Sequence, residues 1–110
     1  AFALVRYGST DMTEFGALRY LVNQLNSAGG RDAAVAYLTE VARDKDVRRA
    51  LYPALQSPSA TKAEKTGLAQ VLSVSGDRDT LPYLQTLSQD SDPEVAQAGL
   101  RASRNLNARL

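Results

Sequence analysis

Five carboxylates crowd into residues 76–95, GDRDTLPYLQTLSQDSDPEV: Asp77, Asp79, Asp90, Asp92 and Glu94, in a chain with 12 Asp and Glu in all. Carboxylates at this density could ligate a hard cation or share acid–base work. A calcium loop of EF-hand type needs oxygen ligands at alternate positions and a glycine at the sixth. Asp90-Ser91-Asp92-Pro93-Glu94 alternates its carboxylates but has no third loop ligand and no glycine. Asp77 and Asp79 lie one helix length upstream, roughly 15 Å away at 1.5 Å per residue. The two groups do not converge easily on one ion, so no metal and no cofactor is expected. As helix caps each carboxylate has a use: an oxygen for orphan N–H groups and negative charge at the positive helix end. Capping is the preferred reading.

The rest of the reactive inventory is thin. The 110 residues include no Cys and no His. That removes disulfides, thiolate nucleophiles, Cys/His zinc sites and the commonest general base. No glycine-rich phosphate loop or nucleophile elbow is present, and catalysis is not expected. The net charge of +1 gives no electrostatic case for nucleic acid or an acidic membrane. Arg43, Lys45, Arg48 and Arg49 interleave with Asp44 and Asp46, which nearly neutralises that turn. Arg101, Arg104 and Arg109 have no acidic neighbours from residue 95 onward. They could touch phosphates, but cations in late helical turns also suit the dipole, and a solvated face is preferred.

The elements that must position these residues are helices. Phe15, Leu18, Leu21, Val22 and Leu25 recur at the spacing of one helix face. Further runs are Ala34–Leu38–Val41, Val47–Leu51–Ala54–Leu55, Leu68–Val71–Leu72–Ser75, Leu81–Leu84–Leu87, and Val95–Ala98–Gly99–Ala102–Leu106–Leu110. No segment of useful length alternates with period two, and no apolar run approaches membrane-spanning length. Asp11 with Glu14 and Thr61 with Glu64 read as capping boxes, and Asp92-Pro93 as a cap with proline at the first helical position. Gly29-Gly30 and Gly76 are expected to leave helices with positive φ. Pro82 belongs in a first turn, while Pro53 predicts a kink or early stop. Ala98, Gly99 and Ala102 form a narrow seam, expected to receive a next unit or a partner chain.

The chain also repeats itself. Leu21, Leu25, Gly29, Arg31 and Asp32 return 47 residues later as Leu68, Leu72, Gly76, Arg78 and Asp79. Tyr37-Leu38, Asp44 and Asp46 return after 46 residues as Tyr83-Leu84, Asp90 and Asp92, and Val47 after 48 as Val95. On this register Asp32, Asp46, Asp79 and Asp92 mark helix starts. Residues 1–8 end a preceding helix (Phe2 to Tyr7, stopped by Gly8). Residues 11–45 and 46–91 are two units, and 92–110 begin a third, so the chain reads as part of a longer solenoid.

Leu72 to Asp77, Leu81-Pro82-Tyr83-Leu84, Asp90 to Val95 and the Ala/Leu-rich stretch from Ala98 to Leu106 resemble a HEAT repeat of the phycobilisome-lyase type. The likeness is good over residues 65–110 and is carried by the internal repeat over 10–60. Ala96 replaces the usual Arg after the Val, although Val47-Arg48 keeps it. Residues 56–66 lengthen the unit and leave room for a third, armadillo-like helix. The resemblance implies an all-α right-handed superhelix of about six helices. It implies a non-catalytic scaffold for protein–protein interaction, whose partners are another protein or other domains of the same chain. In such folds the second helix of each unit commonly lines a groove, which here places Tyr37, Glu40, Arg43, Tyr83, Thr86 and Gln89 at the partner surface. For the repeated Tyr37 and Tyr83, a ring packed between units is preferred to a contact anchor. The alternatives are a segment of a larger lyase or peptidase and, more weakly, binding to a nucleic-acid backbone. The compartment is not legible, with the cytoplasm slightly favoured.

Overall fold

The computed structural model describes residues 15–110, with side chains from residue 18. Six α-helices follow in order: α1 (Phe15–Gln24), α2 (Arg31–Val41), α3 (Lys45–Gln56), α4 (Lys62–Ser75), α5 (Leu81–Leu87) and α6 (Pro93–Arg109). A 3₁₀ turn, Arg78–Thr80, leads into α5. The described residues contain no strand, so this part of the chain is all-α. No described helix is long and apolar enough to cross a membrane. The expected helix from Phe2 to Tyr7 and the Asp11–Glu14 capping box lie outside the described residues.

Each helix buries most of the stripe its spacing predicts, although Leu110, at the end of the last run, is exposed. Leu18, Leu21 and Leu25 go inward from the first segment, Ala34 and Leu38 from α2, and Val47, Leu51 and Leu55 from α3. Leu84 and Leu87 do so from α5, and Val95, Ala102 and Leu106 from α6. The helix α4 differs: Gly67, Leu68, Ala69, Val71, Leu72 and Ser75 are all buried, which is more than one face. It packs against α1, α2, α3 and α6, and so forms the centre of the core. Full burial of a leucine such as Leu68 or Leu72 is worth about 1.5–3 kcal/mol.

Residues matched by the internal repeat have matching burial. Leu21 and Leu68, Leu25 and Leu72, Leu38 and Leu84, and Val47 and Val95 are each at most 1% exposed. By these matches α1 corresponds to α4, α2 to α5 and α3 to α6. The caps correspond too: Asp92 is the cap the sequence predicts, and its counterpart is Asp44, not the expected Asp46. Asp44 and Asp92 are the N-caps of α3 and α6. Each is extended (φ −75°, ψ 127° and φ −80°, ψ 123°) and accepts from the second and third backbone N–H of its helix. Asp46 and Asp79 lie inside first turns, and α2 starts at Gly30 without a side-chain cap. The reason is geometric: the first buried valine occupies the third helical position, which fixes the cap three residues before it.

The glycine expectation also fails. No glycine among the described residues has positive φ. Gly76 is extended (φ −71°, ψ 169°) and donates its N–H to Leu72 O at 2.8 Å. Glycine is needed there for close approach, because a Cβ would lie 2.5 Å from Leu72 O and 2.9 Å from Thr80 Cβ. Pro53 does not stop α3, which continues to Gln56 with Leu55 buried beyond the proline. Pro82 sits in the first turn of α5, and Thr61 with Glu64 forms the reciprocal capping box (3.1 and 3.0 Å). No extra helix fills residues 56–66, where α3 ends, a short loop passes and α4 begins.

Candidate functional site

The clustered carboxylates are engaged in building helix junctions. Asp77 caps the 3₁₀ turn through Asp79 N–H (2.9 Å) and pairs with Arg48 Nη2 at 2.6 Å. Asp90 accepts from Asp92 N–H (2.8 Å) and from Lys65 Nζ (2.9 Å). Asp92 caps α6, and Lys62 Nζ lies 2.9 Å from Glu94 and 3.7 Å from Asp92. No group of three or more carboxylates among the described residues could hold a metal ion.

The charges leave their mark on proton affinity. Burial pushes the Asp77 carboxyl upward, but the Arg48 charge and hydrogen bond, with the Asp79 N–H, hold it below the usual value. The Asp92 N–H and the Lys65 ammonium lower the Asp90 carboxyl. The hydrogen bond to Glu94, helped by the Asp92 charge, raises the Lys62 ammonium.

Arg48, read in the sequence as one charge of a nearly neutralised turn, is in fact buried. Nη1 donates to Ala42 O, Arg43 O and Ser75 O at 2.9, 3.1 and 3.2 Å, while Nη2 meets Asp77. One guanidinium thus ties the turn before α3 to the end of α4. Beside it, Ser75 Oγ donates to Thr39 O, and Tyr52 OH shares a 2.7 Å hydrogen bond with the buried Thr80 Oγ1. Sequence reasoning missed Thr80, although Asp77-x-x-Thr80 has the spacing of a capping box and forms one.

The six expected partner residues lie on α2, on α5 and in the turns that follow them. Tyr37 is half-buried on α2 and packs against the core. Glu40 and Arg43 are exposed and 3.6 Å apart. Tyr83 stacks on Tyr52 with ring centroids 3.9 Å apart and planes 13° apart, so its ring face is used between α5 and α3. Thr86 donates to Pro82 O (3.0 Å), and Gln89, just beyond α5, is exposed. Of the six, only Tyr83 lines a recess described here, a shallow one shared with Arg49, Tyr52, Pro53, Gln56 and Asp79.

A depression of about 640 Å³ lies elsewhere, between α4 and α6. Thr66, Gln70 and Ser73 line it from α4, and Glu94, Gln97, Ala98, Arg101, Ala102 and Asn105 from α6. Arg31, the first residue of α2, closes one side and donates to Thr66 Oγ1 at 3.0 Å. Arg101 and Arg104 make no hydrogen bond or ion pair with the described residues, whereas Arg109 donates to Ser73 O at 2.9 Å. Among these residues the sequence had singled out Arg31, Glu94, Ala98, Arg101 and Ala102; the glutamines and Asn105 carry no signal beyond helical spacing. At Gly99 the small-residue seam is filled from within the chain, while Ala98 and Ala102 line the depression. A Cβ on Gly99 would lie 2.6 Å from Ser88 N and 2.8 Å from Leu87 C, so the end of α5 rests on it.

No family model matches this chain, and no curated protein or solved structure is significantly similar to it.

Proposed function

We propose that this chain is a non-catalytic helical-repeat module, HEAT- or armadillo-like, that binds another polypeptide or another segment of its own protein. The observation that carries the reading is the depression between α4 and α6. It is open and lined by long polar side chains, and its Arg101 is used in no bond within the described residues. The paired burial of Leu21 with Leu68 and Leu38 with Leu84, and the paired caps Asp44 and Asp92, support a repeat architecture. Stacked repeats of this kind suit shape-based recognition, because the fold supplies surface and no fixed chemistry. Glu40, Arg43, Thr86 and Gln89 remain a second candidate contact surface.

Panning a displayed library of random short peptides on the immobilised chain tests this. Enrichment of related sequences over an unrelated helical protein is the expected result. No enrichment, together with salt-sensitive capture of duplex DNA lost on replacing Arg101 and Arg104, would move the function to nucleic acid.

A further inference from the structure

We propose that the depression between α4 and α6 takes a short, extended, acidic polypeptide segment. Gln70, Gln97 and Asn105 hold its main chain, and Arg31 and Arg101 hold its carboxylates. This rests on the reading of the chain as a polypeptide-binding module and names the ligand.

The charge argument comes first. Glu94 is the one acidic group among the lining residues, and Lys62, which also reaches Asp92 at 3.7 Å, pairs with it at 2.9 Å. The two lining arginines therefore set the sign of the site. Arg31 is held in place by its hydrogen bond to Thr66, which leaves further N–H groups of its guanidinium for a ligand. Arg101 is exposed and has no partner among the described residues. A planar guanidinium matches a carboxylate with two parallel hydrogen bonds.

The shape argument is separate. Glu94, Gln97, Arg101 and Asn105 follow one another along one face of α6, above a floor of Ala98 and Ala102. That row covers roughly 16 Å of helix at 1.5 Å per residue. At about 3.3 Å per residue, some five residues of extended chain fit along it. A side-chain carboxamide carries both a donor and an acceptor, as each peptide unit of an extended segment does. The lining has no aromatic ring on which a base could stack and only two cations, which argues for a peptide over a nucleic acid.

The probes are fluorescein-labelled hexapeptides of Glu, Gln or Lys and a single-stranded oligonucleotide, followed by anisotropy and by amide chemical shifts of the full chain. Binding of the Glu peptide with shifts at Gln70, Gln97, Arg101 and Asn105 is expected. Arg101→Gln should weaken it by roughly tenfold, the loss of one charged contact. Arg101 is exposed, so circular dichroism of that variant should match the parent; Gln97→Ala serves as a second, uncharged variant. Equal binding of the Lys peptide, shifts centred on Tyr83 and Gln89, indifference to both substitutions, or preference for the oligonucleotide would each overturn the assignment. If library peptides are still enriched while the Glu peptide shows no preference, the module reading stands and this assignment falls.

Discussion

Arg48 shows how far one side chain can govern a junction. It is 7% exposed and reaches three backbone carbonyls and the Asp77 carboxylate. Breaking a buried pair by removing one partner costs about 3–5 kcal/mol. The Asp77 side chain is 38% exposed, and water can replace part of what it loses. Arg48→Ala should therefore cost about 2–3 kcal/mol in urea unfolding, nearer the scale of an ordinary hydrogen-bonded charge. The acid limb of stability should follow Asp77 and Asp90. Both carboxyls are held below their unfolded value, so their contribution is complete above about pH 4. It disappears as pH falls through the lower folded values. Asp77→Asn should flatten this limb relative to the parent, a change read from urea midpoints between neutral pH and pH 3. Lys62 has the opposite sign: its contribution holds below about pH 10 and fades as pH rises through the raised folded value.

At the scale of the helix, the caps and the glycines separate positions that look alike in the sequence. Asp44→Ala and Asp92→Ala should each cost about 1 kcal/mol, while Asp46→Ala should cost a few tenths at most. Thermal unfolding of the three variants checks the assignment; a larger loss at Asp46 would return the cap to the sequence-predicted residue. Gly99→Ala pushes a methyl group into the backbone of Ser88 and Leu87. It should cost about 1–3 kcal/mol, as overpacking does. The three atoms nearest a Cβ on Gly67 all belong to the Leu25 side chain, the closest at 2.9 Å. There the better helix propensity of alanine offsets part of the strain, by about 1 kcal/mol. The order Gly99→Ala far worse than Gly67→Ala is the expected outcome of the same melts. Helix existence was legible because apolar period and cap chemistry agree at α3, α4 and α6. The cap at Asp44 was displaced by two residues because Asp44-Lys45-Asp46 offers two carboxylates and the repeat shifts between 46 and 48 there. Gly76 misled because close packing, not positive φ, selects it. The α4–α6 depression was illegible: its Gln70, Gln97 and Asn105 become neighbours only after two helices some thirty residues apart pack together.

Across the whole molecule, α4 carries the coupling. It buries residues on more than one face and touches both the α1–α3 and the α6 sides. Leu72→Ala should cost about 2–5 kcal/mol, a large share of what a domain of this size has. Amides of α2–α3 and of α5–α6 should then lose protection against hydrogen exchange together. Independent loss on one side alone would show that the copies fold separately. The Arg48 knot has a further meaning in time. Its bonds to Ser75 and Asp77 join points 27 and 29 residues apart, whereas α3 and α4 each form from local contacts. Such a contact is expected to close after the local turns of α3 and α4 have formed, an order that refolding and unfolding rates of Arg48→Ala would test. An interaction completed after the barrier acts on the rate of opening and hardly on the rate of closing. Arg48→Ala is then expected to act as a lost latch: faster unfolding with little change in the refolding rate, and an equal loss on both rates would show that the knot forms before the barrier.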